Sequence, residues 1–300
     1  MMSKYHDPVL LSECLEGLNI SPEGTYVDVT FGGGGHSRAI VEQLKGGHLY
    51  AFDQDEDALN NELDDDRFTL INSNFRYLKN GLRMYGVKQI DGLLADLGVS
   101  SHQFDVPDRG FSIRFEAELD MRMDQASDLN AFKVINEYEQ EDLRNILKLY
   151  GELKRPGTVA RIICEARVEK PIATVNELKA LLSPLAPKML ENKFFAQVFQ
   201  AIRIEVNDEL NALRGMLIHA QEILKPGGRL VVISYHSLED RLVKNLIQKG
   251  NFEGELKQDF FGNKLLSFKK ISRKPILPTE EEIQRNNRAR SAKLRVAEKL

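Results

Sequence analysis

The 300-residue sequence has no tryptophan and only two cysteines, Cys14 and Cys164. These lie far apart and form no C-x-x-C pair, so neither a disulfide framework nor a thiolate zinc site is indicated, and the pattern suits a reducing compartment. No apolar stretch reaches the roughly 18 to 20 residues of a membrane span, and the opening MMSKYHDPVLLSECL lacks the long apolar run of a secretory signal. The expectation is a cytoplasmic protein, neither exported nor held in a membrane. A surplus of positive charge is missing as well: 41 Lys and Arg face 45 Asp and Glu. Any nucleic acid binding therefore has to use local patches. What is present is the composition of a globular protein with enough chain for a substantial core, as one large domain or a domain with an insertion.

The stretch from Thr25 to Asp53, TYVDVTFGGGGHSRAIVEQLKGGHLYAFD, reads as strand, glycine loop, helix and second strand ending in an acid. Tyr26, Val27 and Val29 suit a buried strand that also contains Asp28. Gly32 to Gly35 allow a sharp turn and a close approach of backbone to ligand, because they carry no Cβ. A helix over 37–44 then starts with its amides free. Asp53 closes the second strand, over 48–52, roughly 20 residues past the loop, where a dinucleotide fold places the acid that holds a ribose hydroxyl. Glycines serving only a tight turn are the alternative. A nicotinamide fingerprint requires G-x-G-x-x-G, and Ser37 stands at the third position. An adenosyl cofactor without a pyrophosphate fits this loop better than a dehydrogenase cofactor does.

Beyond Asp53 the pattern predicts a helix over 56–63, strand 68–72, helix 78–85 and a fourth strand in IDGLLADLG with Asp96 at its carboxyl end. Such alternation gives an α/β, doubly wound, mostly parallel sheet. Ligands sit outside the carboxyl ends of such strands, so Asp53, Phe75 and Asp96 are expected to converge on the glycine loop. From Gln103 to Arg203 the alternation lapses into helices predicted over 130–137, 139–150, 159–168 and 175–182. The domains expected are a sheet domain of residues 1–104 and 205–300 and an inserted helical domain of residues 105–204. The sheet domain resumes with one helix over 206–224, a fifth strand over 229–234 after KPGG, a helix over 239–248 and a β-like stretch over 264–271. Arg285, Arg288, Arg290, Lys293, Arg295 and Lys299 then make the tail a local basic strip, expected to help hold RNA; a terminal helix or a segment packed on the sheet is the alternative.

Asp28 with its glycine loop, Asp53, Asp96 and KPGGRL together resemble the class I S-adenosyl-L-methionine-dependent methyltransferases. Longer phrases narrow this: PVLL with Glu13, FGGGGHS, FDQD, DLGVSS, RGFS, LDMRMD, FQAIRIEVNDEL, HSLEDR and RSAKLR. In that order, over nearly the whole chain, they resemble the bacterial 16S ribosomal RNA cytosine-N4 methyltransferase family called RsmH or MraW. The resemblance implies a Rossmann-like methyltransferase domain, S-adenosyl-L-methionine as cofactor, and transfer of its methyl group to the exocyclic N4 of a cytosine in the decoding centre. The implied partner is small-subunit ribosomal RNA within the 30S particle; a homodimer is left open. The implied cofactor contacts are Gly34, Gly35, His36, Asp53, Phe75, Asp96 and Gln103. The chain departs from the family pattern at Tyr235, often Phe, at Asn287, usually Pro, and before LDMRM, where a glycine-proline is commonly seen.

An ionised Asp53 can accept from both ribose hydroxyls, with a helix N-cap as the alternative. Phe75 can stack on adenine or belong to the core. Asp96 is the candidate catalytic residue, accepting from the amino group and taking its proton, with cofactor contact alone as the alternative. Ser100, Ser101 and Gln103 supply polar groups on the following loop. Arg109, Arg122, Arg203 and Arg241 are candidate phosphate contacts, each of which can instead serve a salt bridge. No metal-ligand constellation stands out, although Asp120 and Asp124 are individually open to such a role.

Overall fold

The structure is a computed structural model that describes the chain from Pro8 to Leu300. It separates into two compact units, one made of residues up to Gly98 together with Leu210–Leu300, the other of Val99–Glu209. In chain order, α1 (Leu11–Leu18) precedes β1 (Thr25–Asp28), α2 (Gly35–Gln43), β2 (His48–Asp53), β3 (Phe68–Asn72), α3 (Leu78–Met84) and β4 (Ile90–Asp96). The helix expected over 56–63 is a 3₁₀ turn, Glu56–Asn61. Three aspartates, Asp64 to Asp66, follow it, and negative charge at a helix carboxyl end opposes the helix dipole.

The second unit holds α4 (Ser101–Asp105), α5 (Ala131–Glu137), α6 (Gln140–Leu149), α7 (Pro156–Glu169), α8 (Val175–Leu182) and α9 (Glu191–Asn207). Its core is apolar, with Leu143, Ile146, Ile163, Leu178, Val198 and Ile202 among the buried side chains. The helix expected over 159–168 begins earlier, at Pro156, because proline at the first helical position needs no amide partner and already has a helical φ. The helix expected over 206–224 starts three residues later, and Val206 and Asn207 instead end α9. Asp208 turns left-handed, φ 47°, and ends α9 before α10 (Glu209–Ile223). Asn207 pins that corner, donating to the carbonyls of Met121 (2.8 Å) and Arg203 (2.9 Å).

The remaining elements are β5 (Leu224–Ser234), α11 (Ser237–Lys249), β6 (Phe268–Lys270), α12 (Glu280–Arg285) and β7 (Lys293–Lys299). Among the described residues, seven strands form one sheet in the order β3-β2-β1-β4-β5-β7-β6. The strands β1 to β5 run parallel, and β7 is antiparallel to both β5 and β6. This is the doubly wound, mostly parallel α/β arrangement expected, the Rossmann-like fold of class I methyltransferases. Successive residues of β5 serve opposite faces: Leu230 and Val232 pack with Leu213, Leu217 and Val243, whereas Val231 and Ile233 pack with Leu18, Ile40 and Leu44. Both faces are thus covered, which is why β5 reads as an unbroken apolar run. The last residues of the basic tail follow the alternative of a segment packed on the sheet: Lys293–Lys299 is an inner strand whose Leu294, Val296 and Ala297 are buried. Among the described residues, no helix is long and apolar enough to cross a membrane.

Candidate active site

Parallel pairing sets the carboxyl ends of β1, β2 and β4 side by side, with Asp28 opposite both Ala51 and Leu94. The loop after β1 is fixed from below by Asp28, which is buried. Its Oδ1 accepts from the Thr30 amide (3.0 Å) and its Oδ2 from the Ser37 hydroxyl (2.8 Å). Ser37, the departure from the nicotinamide fingerprint, therefore ties the start of α2 to the end of β1.

The glycine turn needs its glycines in two ways. Gly32 (φ 51°) and Gly34 (φ 74°) lie in the left-handed region, which side-chain-bearing residues adopt at a penalty. A Cβ on Gly34 would stand 3.0 Å from the Phe31 ring, and one on Gly35 would stand 3.2 Å from Pro8. Asp53 meets this turn from β2. Its Oδ2 accepts from the Gly32 amide (2.8 Å) and its Oδ1 from the Asp55 amide (2.9 Å). The cap of the following 3₁₀ turn is Asp55, which accepts from Asp57, so the N-cap alternative for Asp53 falls away. Removal from water pushes the Asp53 carboxyl up to about 6, against the pull of those two amides.

Asp96 closes β4 and gathers three neighbours. The Tyr235 hydroxyl donates to Oδ1 (2.8 Å), and the Asp96 amide donates to Thr30 Oγ1 (2.7 Å). His36, buried in α2, places Nδ1 3.9 Å from Oδ2. The other ring nitrogen, Nε2, lies 3.0 Å from the Val9 carbonyl; a carbonyl can only accept, so Nε2 carries a proton. Burial pushes the Asp96 carboxyl up to about 6, while His36 and Tyr235 pull it back. Burial and the charge of Asp96 together hold the tyrosine well above its ordinary value, which keeps it a donor at neutral pH. Sequence reading gave Thr30 no role and named Tyr235 only as a departure from the family pattern. Tyr235 directly follows β5, so the rule that placed Asp53 and Asp96 at strand carboxyl ends would have found it too.

The glycine turn, His36, Asp53 and Asp96 are thus brought together. Phe75 opens a 3₁₀ turn after β3 and is half-buried against the core beneath it. Gln103 belongs to the second unit, where it is buried and forms a capping box with Ser100, the Ser100 amide donating to Gln103 Oε1 (3.0 Å) and the Gln103 amide to Ser100 Oγ (3.2 Å). The side chain of Ser101 lies outside the described residues.

Three of the four arginines offered as phosphate contacts are engaged within the second unit. Arg109 is buried and donates to the carbonyls of Arg122 (2.9 Å) and Met123 (3.2 Å). Arg122 grips both carboxylate oxygens of Asp120, at 2.9 and 2.8 Å. Arg203 grips Glu209, at 2.8 and 3.0 Å. Arg241 is exposed on α11. Asp120 is thereby taken up, and Asp124 accepts from the Ala126 amide (2.9 Å) in a local turn. In the tail, Arg295 is committed to Asp240, at 2.7 and 3.1 Å.

The cradle fits a cationic sulfonium nucleoside. It offers backbone amides, two carboxylates and the close approach that glycine permits, and Ser37 stands where the nicotinamide fingerprint has its third glycine. Comparison with known proteins agrees. The chain is 61% identical over 298 residues to ribosomal RNA small subunit methyltransferase H of Flavobacterium johnsoniae, covering 99% of this chain and 98% of that protein. It is 58% identical over 301 residues to the protein of the same name from Christiangramia forsetii, covering 100% of this chain and 99% of that protein. Among solved structures, an rRNA methylase from Streptococcus thermophilus aligns over 97% of this chain and 93% of that one at 15% identity, with a TM-score of 0.39 that bears no weight. The MraW methylase family model matches residues 3–300: the chain belongs to that family, and its cofactor is S-adenosyl-L-methionine.

Proposed function

We propose that this protein transfers a methyl group from S-adenosyl-L-methionine to the exocyclic N4 of a cytosine in the decoding centre of 16S ribosomal RNA, acting in the cytoplasm on the 30S particle. The name carried by its full-length relatives supports small-subunit ribosomal RNA as the substrate. The observation that carries the chemistry is the position of Asp96 beside the glycine turn with one oxygen held by Tyr235.

When bound, the cofactor supplies a methyl group already activated by a sulfonium charge. The protein's part is alignment and proton management. In this reading Asp53 accepts from the ribose hydroxyls, Gly34, Gly35 and His36 approach with their backbone, Phe75 stacks on adenine, and Gln103 is the remaining contact that the family resemblance implies. The N4 lone pair of cytosine is delocalised into its ring, so the base must be held with that lone pair aimed at the methyl carbon. Asp96 accepts from the amino group, a hydrogen bond that strengthens as the nitrogen gains positive charge and so favours the transition state over the ground state. With Oδ1 held by Tyr235, Oδ2 is the oxygen left to receive the proton. The helical unit is proposed to contribute RNA contacts, the target base leaving its stack to reach the site.

The test supplies labelled cofactor and small-subunit particles from cells lacking the enzyme, then maps the methyl group. Label on N4 of one decoding-centre cytosine is expected; label on protein, DNA or another base overturns the reading. Asp96→Asn is expected to lose turnover while retaining cofactor binding. Turnover at an undiminished rate removes Asp96 from the mechanism.

A further inference from the structure

The segment between α11 and β6 forms a small hairpin unlike the rest of the surface. The Leu265 amide donates to the Lys257 carbonyl (3.0 Å), Gln258 pairs with Lys264, and the Asp259 amide donates to the Asn263 carbonyl (2.9 Å). Asp259 builds the tip: its Oδ1 accepts from the amides of Phe261 (2.9 Å) and Asn263 (2.8 Å), and its Oδ2 from the Asn263 side chain (3.0 Å). Gly262 provides the left-handed residue at φ 84°. Backbone and Asp259 thus hold the turn without help from its two aromatics. Phe260 is 98% exposed and Phe261 84%, their rings perpendicular with centroids 5.6 Å apart.

Two adjacent phenylalanines in water oppose the hydrophobic effect and add nothing to the turn, which marks them as contact residues. Their surroundings are cationic. At the foot of the hairpin, Lys257, Lys264, Leu265, Leu266 and Ser267 line an open groove of about 480 Å³. Between Lys249 and Lys274 seven basic residues face three acids, in a chain whose net charge is −4. Lys257, Lys264, Lys270, Arg273 and Lys274 are all exposed.

We propose that this hairpin is a docking site for single-stranded RNA, with unstacked bases on Phe260 and Phe261 and the phosphates running past Lys257 and Lys264. The inference rests on the ribosomal RNA reading above and adds to it a binding surface separate from the methyl-transfer site. Aromatic faces accept any base, and flanking cations track the backbone, so binding is sequence-tolerant and salt-sensitive. A single strand is favoured over a duplex because only unpaired bases present a face for stacking.

Fluorescence anisotropy with a labelled single-stranded RNA oligonucleotide, and with a duplex of the same length, tests this. Phe260→Ser/Phe261→Ser is expected to weaken single-strand binding about tenfold or more, with little change for duplex and with cofactor affinity intact by calorimetry. Lys257→Gln/Lys264→Gln is expected to reduce the salt slope by ~1.4, at ~0.7 per phosphate contact. Wild-type affinity in both variants overturns the proposal. So does equal loss on single strand and duplex, which would mean charge alone, or unchanged RNA affinity with loss of self-association or vesicle binding. Methyl transfer by the wild type separates the two readings. Methylated RNA with no hairpin effect sinks only the hairpin, and no methylated RNA with a hairpin effect sinks only the assigned reaction.

Discussion

The Tyr235 hydroxyl donates to Asp96 Oδ1 across 2.8 Å, linking the carboxyl ends of β5 and β4 through residues 139 apart in sequence. The bond favours the ionised carboxylate, so it lowers a value that burial raises to about 6. Tyr235→Phe keeps the ring and removes the donor. The Asp96 carboxyl should rise, and the acid limb of the pH–rate profile should move up by roughly half a unit to one unit, as expected for one hydrogen bond of ~1 kcal/mol. An unmoved acid limb would show that Asp96 is not the titrating group.

Asp53 also sits at about 6, above the ordinary carboxylate range near ~4. A raised value in the folded state means that folding prefers the protonated acid. The stabilisation is full below about 4 and is lost as pH rises through about 6. Asp96, raised by burial to about 6, acts in the same direction, and His48 and His219, held low by burial, act in the opposite one, so the diagnostic is a difference. Asp53→Asn should gain on the ligand-free wild type in melting temperature between pH 5 and pH 7.5, by roughly 2–4 °C per kcal/mol of relieved burial. Wild-type cofactor affinity should fall as pH drops through 6, because a protonated Asp53 loses acceptor capacity for the ribose. Parallel melting curves across that range would refute the assignment.

Gly34→Ala should impair both fold and site. The left-handed φ costs about 1–2 kcal/mol for any residue with a Cβ, and that Cβ would press on the buried Phe31 ring at 3.0 Å. Cofactor affinity by calorimetry is expected to fall at least tenfold. Gly86→Ala provides the control, since Gly86 has the same φ of 74° with nothing within 4 Å of an added Cβ. It should lose only the ~1–2 kcal/mol of the left-handed φ and no cofactor affinity.

The stretch from Thr25 to Asp53 was legible because its signals are local: a buried strand, a glycine turn, a helix and a strand-ending acid within one βαβ passage. Tyr235 was named only as a departure from the family pattern: its place directly after β5 marked it as a strand-end residue, but its partner Asp96 is distant in sequence. The arginines misled for a related reason. A guanidinium satisfied by the carbonyls of Arg122 and Met123, as Arg109 is, looks the same in sequence as one left for phosphate. Arg122 with Asp120 and Arg203 with Glu209 were closer to legible, two and six residues apart. In KLRVAEK the alternation of Leu294 and Val296 with Lys293 and Arg295 was a strand pattern, but the charges dominated the reading.

That strand decides what the tail can be asked to do. Ending the chain after Ile283 would remove β7 from between β5 and β6, so RNA and cofactor binding should fail together through unfolding. Point changes separate the roles. Arg295 and Asp240 form a two-pronged ion pair with side chains only 12% and 14% exposed. Arg295→Ala leaves Asp240 buried without its cation and should destabilise by about 3 kcal/mol in urea unfolding. Arg290 is exposed, and Arg290→Ala should change stability by less than about 0.5 kcal/mol. If the tail helps hold RNA, that variant alone should lower the salt slope of RNA binding, by roughly 0.7–0.9. A wild-type slope in Arg290→Ala, with full stability, would assign this residue no part in RNA binding.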